Sequence, residues 1–371
     1  MEENEIVAKL RLQAIPGIGP VNARKLVRHF RSASDIFRES ENALLQIPGI
    51  GGGIVKNLLN EKFQRLAERE FERIQRDGMR CLAYGDPEFP PLLRQCADAP
   101  LLLFLRGAIS FEKKRFISIV GTRNMTSRGR SFCEQFVADL SPYAPVVVSG
   151  LAFGVDVCAH QAALRQGLET VACLAHGLDL LYPQAHSAVV SKIQEQGGLL
   201  SEFWLGTTPE PMNFVRRNRI IAGLSEATVV VESAVKGGSL ITADLAFGYN
   251  REVFSVPGRP GDVYSQGCNL MIRNQKAQLL QTAEEFVSSM NWDSDRIHNR
   301  PAQSAWRNRE DLQGDEGSVA GFLADRGEQL LDEIAFGCQL PVKEVAAVLF
   351  QLEMKGVVAP LPGKRFRLKG G

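Results

Sequence analysis

The chain has 371 residues, of which 44% are hydrophobic and 23% are charged, as in a folded globular protein and not a disordered or fibrous one. This length favours two or three domains over a single core. The 43 basic and 42 acidic residues leave a formal net charge of +1, so a strongly basic stretch reflects a local requirement and not the overall composition.

The N-terminus and the cysteines give information about the cellular location of the protein. The opening MEENEIVAKL is acidic where a signal peptide is basic, and the apolar run from Val146 to Val155 is interrupted by Ser149 and Gly150. The seven cysteines are scattered without a Cys-x-x-Cys pair. We therefore expect a cytoplasmic protein with no membrane segment and no zinc or other metal site.

The first 80 residues contain a short internal repeat. The sequence IPGIG occurs at 15–19 and again at 47–51, and each copy precedes a helix-like segment, Val21–Phe30 or Ile54–Leu66. This pattern resembles a helical helix-hairpin-helix or SAM-like domain, in which glycine-rich turns expose backbone N–H groups to a phosphate. Tight turns between packed helices would explain the same glycines, so DNA contact and a purely structural role both remain open.

A proline-rich connector leads into a region, residues 81–290, in which short β-branched runs alternate with helical stretches. The predicted strands are Phe116–Val120, Val146–Val148, Thr170–Leu174, Thr228–Val231 and Glu252–Val256. The predicted helices between them are Arg128–Leu140, Asp156–Arg165, Ala185–Gln196 and Leu240–Tyr249. Strands separated by helices of this length predict a doubly wound parallel sheet in a multidomain α/β protein.

A polar, aperiodic stretch at 291–317 indicates a linker to a last domain at 318–371. The elements predicted there are a helix Leu331–Phe336 ended by Gly337, a helix from Pro341 to Gly356, and a hairpin of Val357–Leu361 with Lys364–Leu368. Helix, turn, helix and β-wing predict a winged helix. The second helix carries both lysines and glutamates, which favours protein contact or weak duplex contact over sequence-specific readout. A transcription regulator that reads duplex DNA is a further alternative.

Three arginines surround Asn218 in RRNRIIAGLS, from Arg216 to Ser225. With Asn218 as a helix N-cap, their guanidinium groups would lie where backbone N–H groups attract anions. Pairing of the arginines with carboxylates of a neighbouring element, Glu202 or Glu232, is the alternative.

Small, hydroxyl and basic residues follow several predicted strands. In a parallel α/β sheet the ligand crevice lies beyond the carboxyl ends of the strands, so these residues are expected at one rim. They are Gly121, Thr122, Arg123, Ser149, Gly150, Lys236, Gly237, Gly238 and Ser239. Glycines let a backbone approach a phosphate, and an arginine can bind it with two hydrogen bonds. The chain has no Gly-x-Gly-x-x-Gly fingerprint and no Walker loop, so we expect no NAD or ATP cofactor.

Catalytic groups are poorly supported. Cys158 and His160 lie two residues apart in a predicted helix and point in different directions, as packing residues do. His176 and Asp179 fall in a loop, where turn hydrogen bonding is the simpler interpretation.

Glu232 and Asp244 are the only carboxylates placed for a glycosidic reaction at the rim, and nothing in the sequence requires that they face each other. An enzyme resembling nucleotide phosphoribohydrolases is the alternative function. Those enzymes place a glutamate shortly after their glycines, whereas the segment 239–243 has none. We therefore expect no catalytic site.

The motifs together resemble one family. They are VGTR (120–123), VSGLAFGVD (148–156), GLDLLYP (177–183), SEF (201–203), RNRIIAGLS (217–225), GGSLITA (237–243) and REVFSVPG (251–258). In order and spacing they are similar to the DNA-processing protein A family, also called DprA or Smf. With the helical N-terminus and the winged helix, the resemblance covers nearly the entire chain.

The resemblance implies a bacterial cytoplasmic protein that binds and protects single-stranded DNA and loads the RecA recombinase during natural transformation or recombination, without catalysis. It implies an extended Rossmann-like domain that holds the strand and forms a homodimer. Arg123 is then the best phosphate ligand, and the segment 217–219 (Arg217, Asn218, Arg219) lines the same pocket opposite 236–239. Phe214 would be a base-stacking platform, with a hydrophobic cap on the sheet as its alternative role.

Overall fold

The computed structural model describes residues 3–112, 114–292, 314–355, 357–361 and 364–368. The chain divides into two compact units, Met1–Phe286 and Val287–Gly371. Among the described residues, no helix is both long enough and apolar enough to cross a membrane.

Six helices open the first unit and surround a small apolar core. They are α1 (Glu3–Ala14), α2 (Pro20–Phe30), α3 (Ala33–Ile36), α4 (Glu41–Leu45), α5 (Gly52–Leu58) and α6 (Glu61–Arg76). Gly17 and Gly49, the middle residues of the two repeats, have φ angles of +86° and +90°. Glycine is favoured there because a side chain would be strained in this left-handed conformation.

The helix predicted at Ile54–Leu66 is wrong as a single element. It is two helices, α5 and α6, separated at Asn60. The Asn60 side chain accepts a hydrogen bond from the Lys62 N–H and so caps α6. A local capping interaction therefore outweighs the continuous apolar pattern.

A nine-stranded sheet forms the rest of the first unit. Its strands are β1 (Arg80–Ala83), β2 (Leu102–Gly107), β3 (Phe116–Val120), β4 (Val146–Ser149), β5 (Thr170–Cys173), β6 (Gly197–Ser201), β7 (Ala227–Val230), β8 (Glu252–Ser255) and β9 (Gln278–Leu279). Their spatial order is β1-β2-β6-β5-β4-β3-β7-β8-β9, and β3 to β9 run parallel. The edge strands β1 and β2 pair antiparallel.

Helices connect these strands. They are α7 (Pro91–Gln95), α8 (Ser127–Leu140), α9 (Val155–Arg165), α10 (Ser187–Gln196), α11 (Pro211–Leu224), α12 (Gly238–Gly248), α13 (Gln266–Arg273) and α14 (Ala283–Ser289). The predicted parallel α/β architecture is confirmed, and each of the five predicted strands is present. The chain winds from β3 outward to β6 and then returns to place β7 on the other side of β3. The switch point of the sheet is therefore between β3 and β7.

The second unit is a small helical domain with a wing. Its elements are α15 (Asp315–Arg326), β10 (Gln329–Leu330), α16 (Leu331–Cys338), α17 (Val342–Met354), β11 (Val358–Leu361) and β12 (Arg365–Leu368). The strands form a sheet in the order β10-β12-β11. Gly356 and most of the predicted linker, residues 293–313, lie outside the described residues.

The predicted end of the first wing-domain helix at Gly337 is wrong, because that glycine lies inside α16. A Cβ at this position would meet the ring of Phe322, so packing explains the glycine. The helix ends instead at Cys338, and the next residue, Gln339, has a left-handed φ of +56°. Pro341 precedes α17 as its N-cap residue and is not its first helical residue.

The packing role predicted for Cys158 and His160 is confirmed, because both side chains are fully buried between α9 and the sheet. The Thr170 hydroxyl donates to the Val147 carbonyl at 2.7 Å. It therefore accepts from Nδ1–H of His160, 2.6 Å away, and this assigns the tautomer. Burial lowers the pKa of His160 from 6.5 to about 3, so the imidazole is neutral in the folded protein.

Between pH 6.5 and about 3, the unfolded chain therefore binds a proton at His160 that the folded chain does not. The stability that depends on the neutral imidazole is therefore fully present above pH 6.5 and decreases as the pH falls toward about 3. We expect His160→Leu to reduce the loss of unfolding free energy on going from about pH 7 to about pH 5 by roughly 2 kcal/mol. Urea unfolding at both pH values measures this. His29→Leu, on the exposed face of α2, is the control, and equal pH dependence in the two variants would contradict the assignment.

Candidate nucleic-acid interface

Three loops meet at the carboxyl edge of the sheet, at the switch point between β3 and β7. The N–H of Thr122, after β3, donates to the carbonyl of Glu232, after β7, at 2.7 Å. The Thr122 carbonyl accepts from the N–H of Val155, after the β4 loop, at 3.2 Å. The three loops are thus joined through their backbones, as the position of the predicted rim requires.

The glycines of these loops are required mainly by packing. A Cβ on Gly121 would lie 2.9 Å from the Glu232 carbonyl oxygen, and a Cβ on Gly150 would lie 2.7 Å from the Arg217 guanidinium. At Gly237 it would meet the Ser233 side chain. Within the described structure, Gly238 is the only glycine of this set at which an added Cβ would have no neighbour within 4 Å. Its backbone is therefore the most open to a ligand.

Arg123 and Phe214 lie side by side at this edge. The Arg123 guanidinium carbon is 5.5 Å from the centre of the Phe214 ring, within cation–π range. Arg123 is exposed and Phe214 is half-buried. The ring of Tyr182, 46% exposed, lies 6.1 Å from that of Phe214 and extends the aromatic surface. Tyr182 was not among the predicted site residues, although the motif GLDLLYP that contains it follows β5.

Lys236 and the start of α12 form the opposite side. Lys236 is exposed, and Gly237 and Gly238 begin the helix. The Asn218 side chain donates to the Gly238 carbonyl at 3.4 Å and so connects α11 with α12. The Ser239 hydroxyl is buried and donates to Ser233 at 2.8 Å. Ser149 is buried too, and its hydroxyl donates to the Ile119 carbonyl at 2.6 Å.

The prediction of Asn218 as a helix N-cap is wrong. Helix α11 begins at Pro211, with Glu210 as the N-cap residue, and Asn218 lies in its middle. Proline at the first helical position explains this earlier start. The arginines therefore project from the body of a helix, and the helix rotation decides which of them reach solvent.

Arg217 is buried, with only 4% of its surface exposed. Its guanidinium donates to the carbonyl of Gly150 at 2.6 Å and to that of Cys173 at 2.5 Å. Burial lowers the pKa of Arg217, and the nearby carboxylate of Asp156 opposes this shift. Arg217 therefore links the ends of β4 and β5 from below the surface. The predicted phosphate contact of this residue remains a prediction.

Arg219 is also buried and pairs with the carboxylate of Glu202, as one of the two interpretations of the cluster predicted. It also donates to the Asp98 carbonyl. Burial raises the pKa of Glu202, and the charge of Arg219 opposes this shift. Glu232, the other predicted partner, instead accepts from the N–H and hydroxyl of Thr126.

Arg216 is the exposed member of the cluster, and the predicted site omitted it. Its guanidinium carbon lies 4.9 Å from the centre of the Phe203 ring and its nitrogen 3.7 Å from a Glu202 oxygen. The side chain is 53% exposed, so this ion pair is weak. Arg216 thus joins Arg123 and Lys236 as an exposed cation at this edge. The repeated arginines in RRNR were a signal for Arg216, but the helix rotation was unknown.

The carboxylates at the rim have structural partners. Glu232 holds the start of α8 through Thr126, and Asp244 forms an exposed ion pair with Lys276 at 2.6 Å. Asp179 accepts from the Gly206 N–H at 2.8 Å, and His176 Nδ1 contacts the Gly177 carbonyl, so the predicted turn roles are confirmed. Within the described ranges, no three His, Cys, Asp or Glu side chains form a group suited to a metal ion.

Sequence comparison identifies all three regions of the chain. The DNA recombination-mediator protein A model matches residues 80–291, more than half of the chain. The chain belongs to this family. A SAM-like helix-hairpin-helix tandem matches residues 9–61, and the DprA winged helix domain matches 303–364. The predicted family and the predicted helix-hairpin-helix, α/β and winged-helix regions are therefore confirmed.

Members of this DNA recombination-mediator family resemble the chain over most of its length. Protein Smf of Synechocystis is 30% identical over 99% of this chain and 100% of its own. Protein Smf of Escherichia coli is 35% identical over 77% of this chain and 76% of its own.

Two solved structures of the family share the fold. DNA processing protein A from Streptococcus pneumoniae has a TM-score of 0.67 at 28% identity and covers 77% of this chain and 98% of its own. The Helicobacter pylori protein, described for its single-stranded DNA binding mode, has a TM-score of 0.52 at 27% identity. It covers 58% of this chain and 96% of its own.

The burial of Arg217 predicts that it supports the loops. Arg217→Met leaves two carbonyls and the carboxylate of Asp156 without their cation, so we expect a loss of unfolding free energy on the order of 3 kcal/mol in urea unfolding. Arg216→Met, which removes the same charge from an exposed position, is expected to cost less than about 1 kcal/mol. A stable Arg217→Met protein with weakened DNA binding would instead favour direct phosphate contact.

Proposed function

We propose that the carboxyl edge of the sheet binds single-stranded DNA without catalysing a reaction. The observation that carries the proposal is the pair of Arg123 and Phe214, an exposed cation beside an aromatic ring at the switch point. Proteins that bind single strands combine such a basic groove with rings on which bases stack. Arg216 on α11 and Lys236 before α12 add exposed positive charge.

Family relatives support the same function. The Helicobacter pylori protein is described for its binding of single-stranded DNA, and the matching family is one of recombination mediators. We infer that this chain acts in the same process. It would protect single strands in the cytoplasm during recombination or natural transformation, form a homodimer and load the RecA recombinase. Light scattering of the purified chain, with and without an oligonucleotide, tests the dimer.

The winged helix is proposed to contact protein, or duplex DNA weakly. Phe350 and Met354 on α17 are 63% and 75% exposed, where a duplex reader would carry basic and polar side chains. Lys355 and Arg365 form ion pairs with Glu316 and with Glu328, which reduces the positive charge available to phosphates. This charge balance argues against a sequence-specific transcription regulator.

The phosphoribohydrolase alternative receives no support from the rim carboxylates, because Glu232 and Asp244 are engaged by Thr126 and Lys276. Incubation with nucleoside monophosphates, followed by chromatography for released base, tests it directly. Release of base above the background of a heat-inactivated sample would replace the non-catalytic proposal.

Arg123→Ala is expected to weaken binding of a labelled single strand about tenfold or more, because it removes a charge-assisted contact with a phosphate. The slope of log affinity against log salt should fall by about 0.7. Fluorescence anisotropy measures both. Arg69→Ala, an exposed change on α6, is the matched control. Unchanged affinity at low salt in Arg123→Ala, or equal wild-type affinity for duplex and single strands, would contradict the proposal.

Phe214→Leu separates base stacking from a hydrophobic cap. Leucine keeps apolar contacts but has no aromatic face, so binding is expected to weaken by about 1–3 kcal/mol with an unchanged salt slope. Phe214→Tyr should retain most of the affinity. If Phe214→Leu lowers the unfolding free energy and leaves binding intact, the ring is a cap on the sheet and not a stacking platform.

A further inference from the structure

A second basic groove lies between α2 and the proline-rich connector after β1, and the binding site described above does not include it. It encloses about 780 Å³. Its lining carries the carboxylates of Glu5 and Asp86 but six basic side chains, namely Lys9, Arg24, Lys25, Arg28, Arg31 and Arg94. Because the whole chain has a net charge of only +1, this concentration of positive charge is local.

One of the two carboxylates is already neutralised inside the protein. Glu5 lies 3.6 Å from the buried ammonium group of Lys9. Its oxygens also accept hydrogen bonds from the N–H groups of Ala33 and Ser34, at 2.8 and 3.1 Å. The Glu5–Lys9 pair is therefore close to neutral, and the rest of the lining carries five basic side chains against the carboxylate of Asp86.

Two arginines are held in place by the connector and keep their charge. Arg24 donates to the Cys96 carbonyl at 3.1 Å, and its guanidinium carbon lies 5.0 Å from the centre of the Tyr84 ring. Arg94 donates to the Phe89 carbonyl at 2.9 Å. Their partners are neutral, so the positive potential of both guanidinium groups remains in the groove. Fixing them in advance lowers the entropy that binding would cost.

Three cations of the groove are exposed, namely Lys25, Arg28 and Arg31. Lys25 donates to the Pro48 carbonyl at 3.0 Å, whereas the side chains of Arg28 and Arg31 form no hydrogen bond or ion pair within the described part of the chain. A cation near the C-terminus of α2 is favoured by the helix dipole, which accounts for one such residue. Arg94 lies across the groove on α7, so both walls of the groove carry cations. Charges on both walls indicate an anionic ligand between them.

The groove is connected to the proposed DNA site through α2. Pro20 and Ala23 of that helix line a second cleft of about 480 Å³, whose other wall includes Asn213 and Arg216 of α11. Helix α11 also carries Phe214. Helix α2 therefore contributes residues to the basic groove and to the cleft beside α11.

We propose that the basic groove binds the sugar-phosphate backbone of the single strand where it continues beyond the carboxyl edge. The proposal rests on the proposed function. The residues from Arg24 to Arg31 span about 10 Å along α2, so their charges can face more than one phosphate of a strand. This row of charges matches a polymer backbone better than a single small anion.

Oligonucleotide length provides the test. With the full chain, fluorescence anisotropy is measured with oligo-dT of about six nucleotides, which fits one site, and of about thirty, which reaches both. The double variant Arg28→Gln/Arg31→Gln is expected to weaken binding of the long strand on the order of tenfold. It should lower the salt slope by about 1.4, since each lost contact removes about 0.7. Binding of the short strand should not change.

The control is Arg65→Gln/Arg69→Gln, which removes two exposed charges from α6, outside the groove lining. Equal effects of the two double variants, or equal losses for short and long strands, would overturn the proposal. The proposal would also be overturned if inorganic phosphate or a duplex bound the groove in a way that depends on Arg28 and Arg31, while the double variant bound long single strands normally. If the wild type binds neither oligonucleotide, the proposed function itself fails, which is a different outcome.

Discussion

The buried guanidinium of Arg217 holds the carboxyl edge of the sheet together. Arg217 extends from α11 to the ends of β4 and β5, where it donates to the carbonyls of Gly150 and Cys173. Residue 150 is a glycine because a Cβ there would lie 2.7 Å from the guanidinium group. A cation removed from water in this way is tolerated only because carbonyl dipoles and the carboxylate of Asp156 replace its hydration. This interaction holds the loop after β4 to the end of β5, and the Val155 N–H that follows this loop bonds in turn to the Thr122 carbonyl beside Arg123.

Buried and exposed cations thus have different roles at one edge. Arg217 and Arg219 connect elements of the fold, whereas Arg123, Arg216 and Lys236 keep their charge toward solvent. Although the chain has a net charge of only +1, exposed cations lie together at this edge and in the groove beside α2. In the proposed DNA site, the aromatic rings beside Arg123 would supply affinity that does not depend on salt.

Much of the α/β unit could be predicted because its strands are short β-branched runs between amphipathic helices. Strands β3 to β5, β7 and β8 lie within a residue of their predicted bounds. Four strands of this sheet were missed, β1, β2, β6 and β9, because RCLA, LLFLRG, GGLLS and the two-residue QL lack that pattern and pair with distant partners. The helix boundaries predicted around Asn60 and Gly337 were also wrong. Asn60 caps a new helix with its side chain, and Gly337 is required by packing against the Phe322 ring.

The candidate site, too, could be predicted only in part. Local sequence determined which residues follow each strand, and parallel topology brings those loops to one edge, so Arg123, Lys236 and Phe214 could be placed together in advance. The sequence could not decide which arginine of RRNR is buried. Successive helical residues differ by about 100° in direction, and the rotation of α11 is set by its start at Pro211 and its packing on the sheet. Only that tertiary contact separates the exposed Arg216 from the buried Arg217 and Arg219.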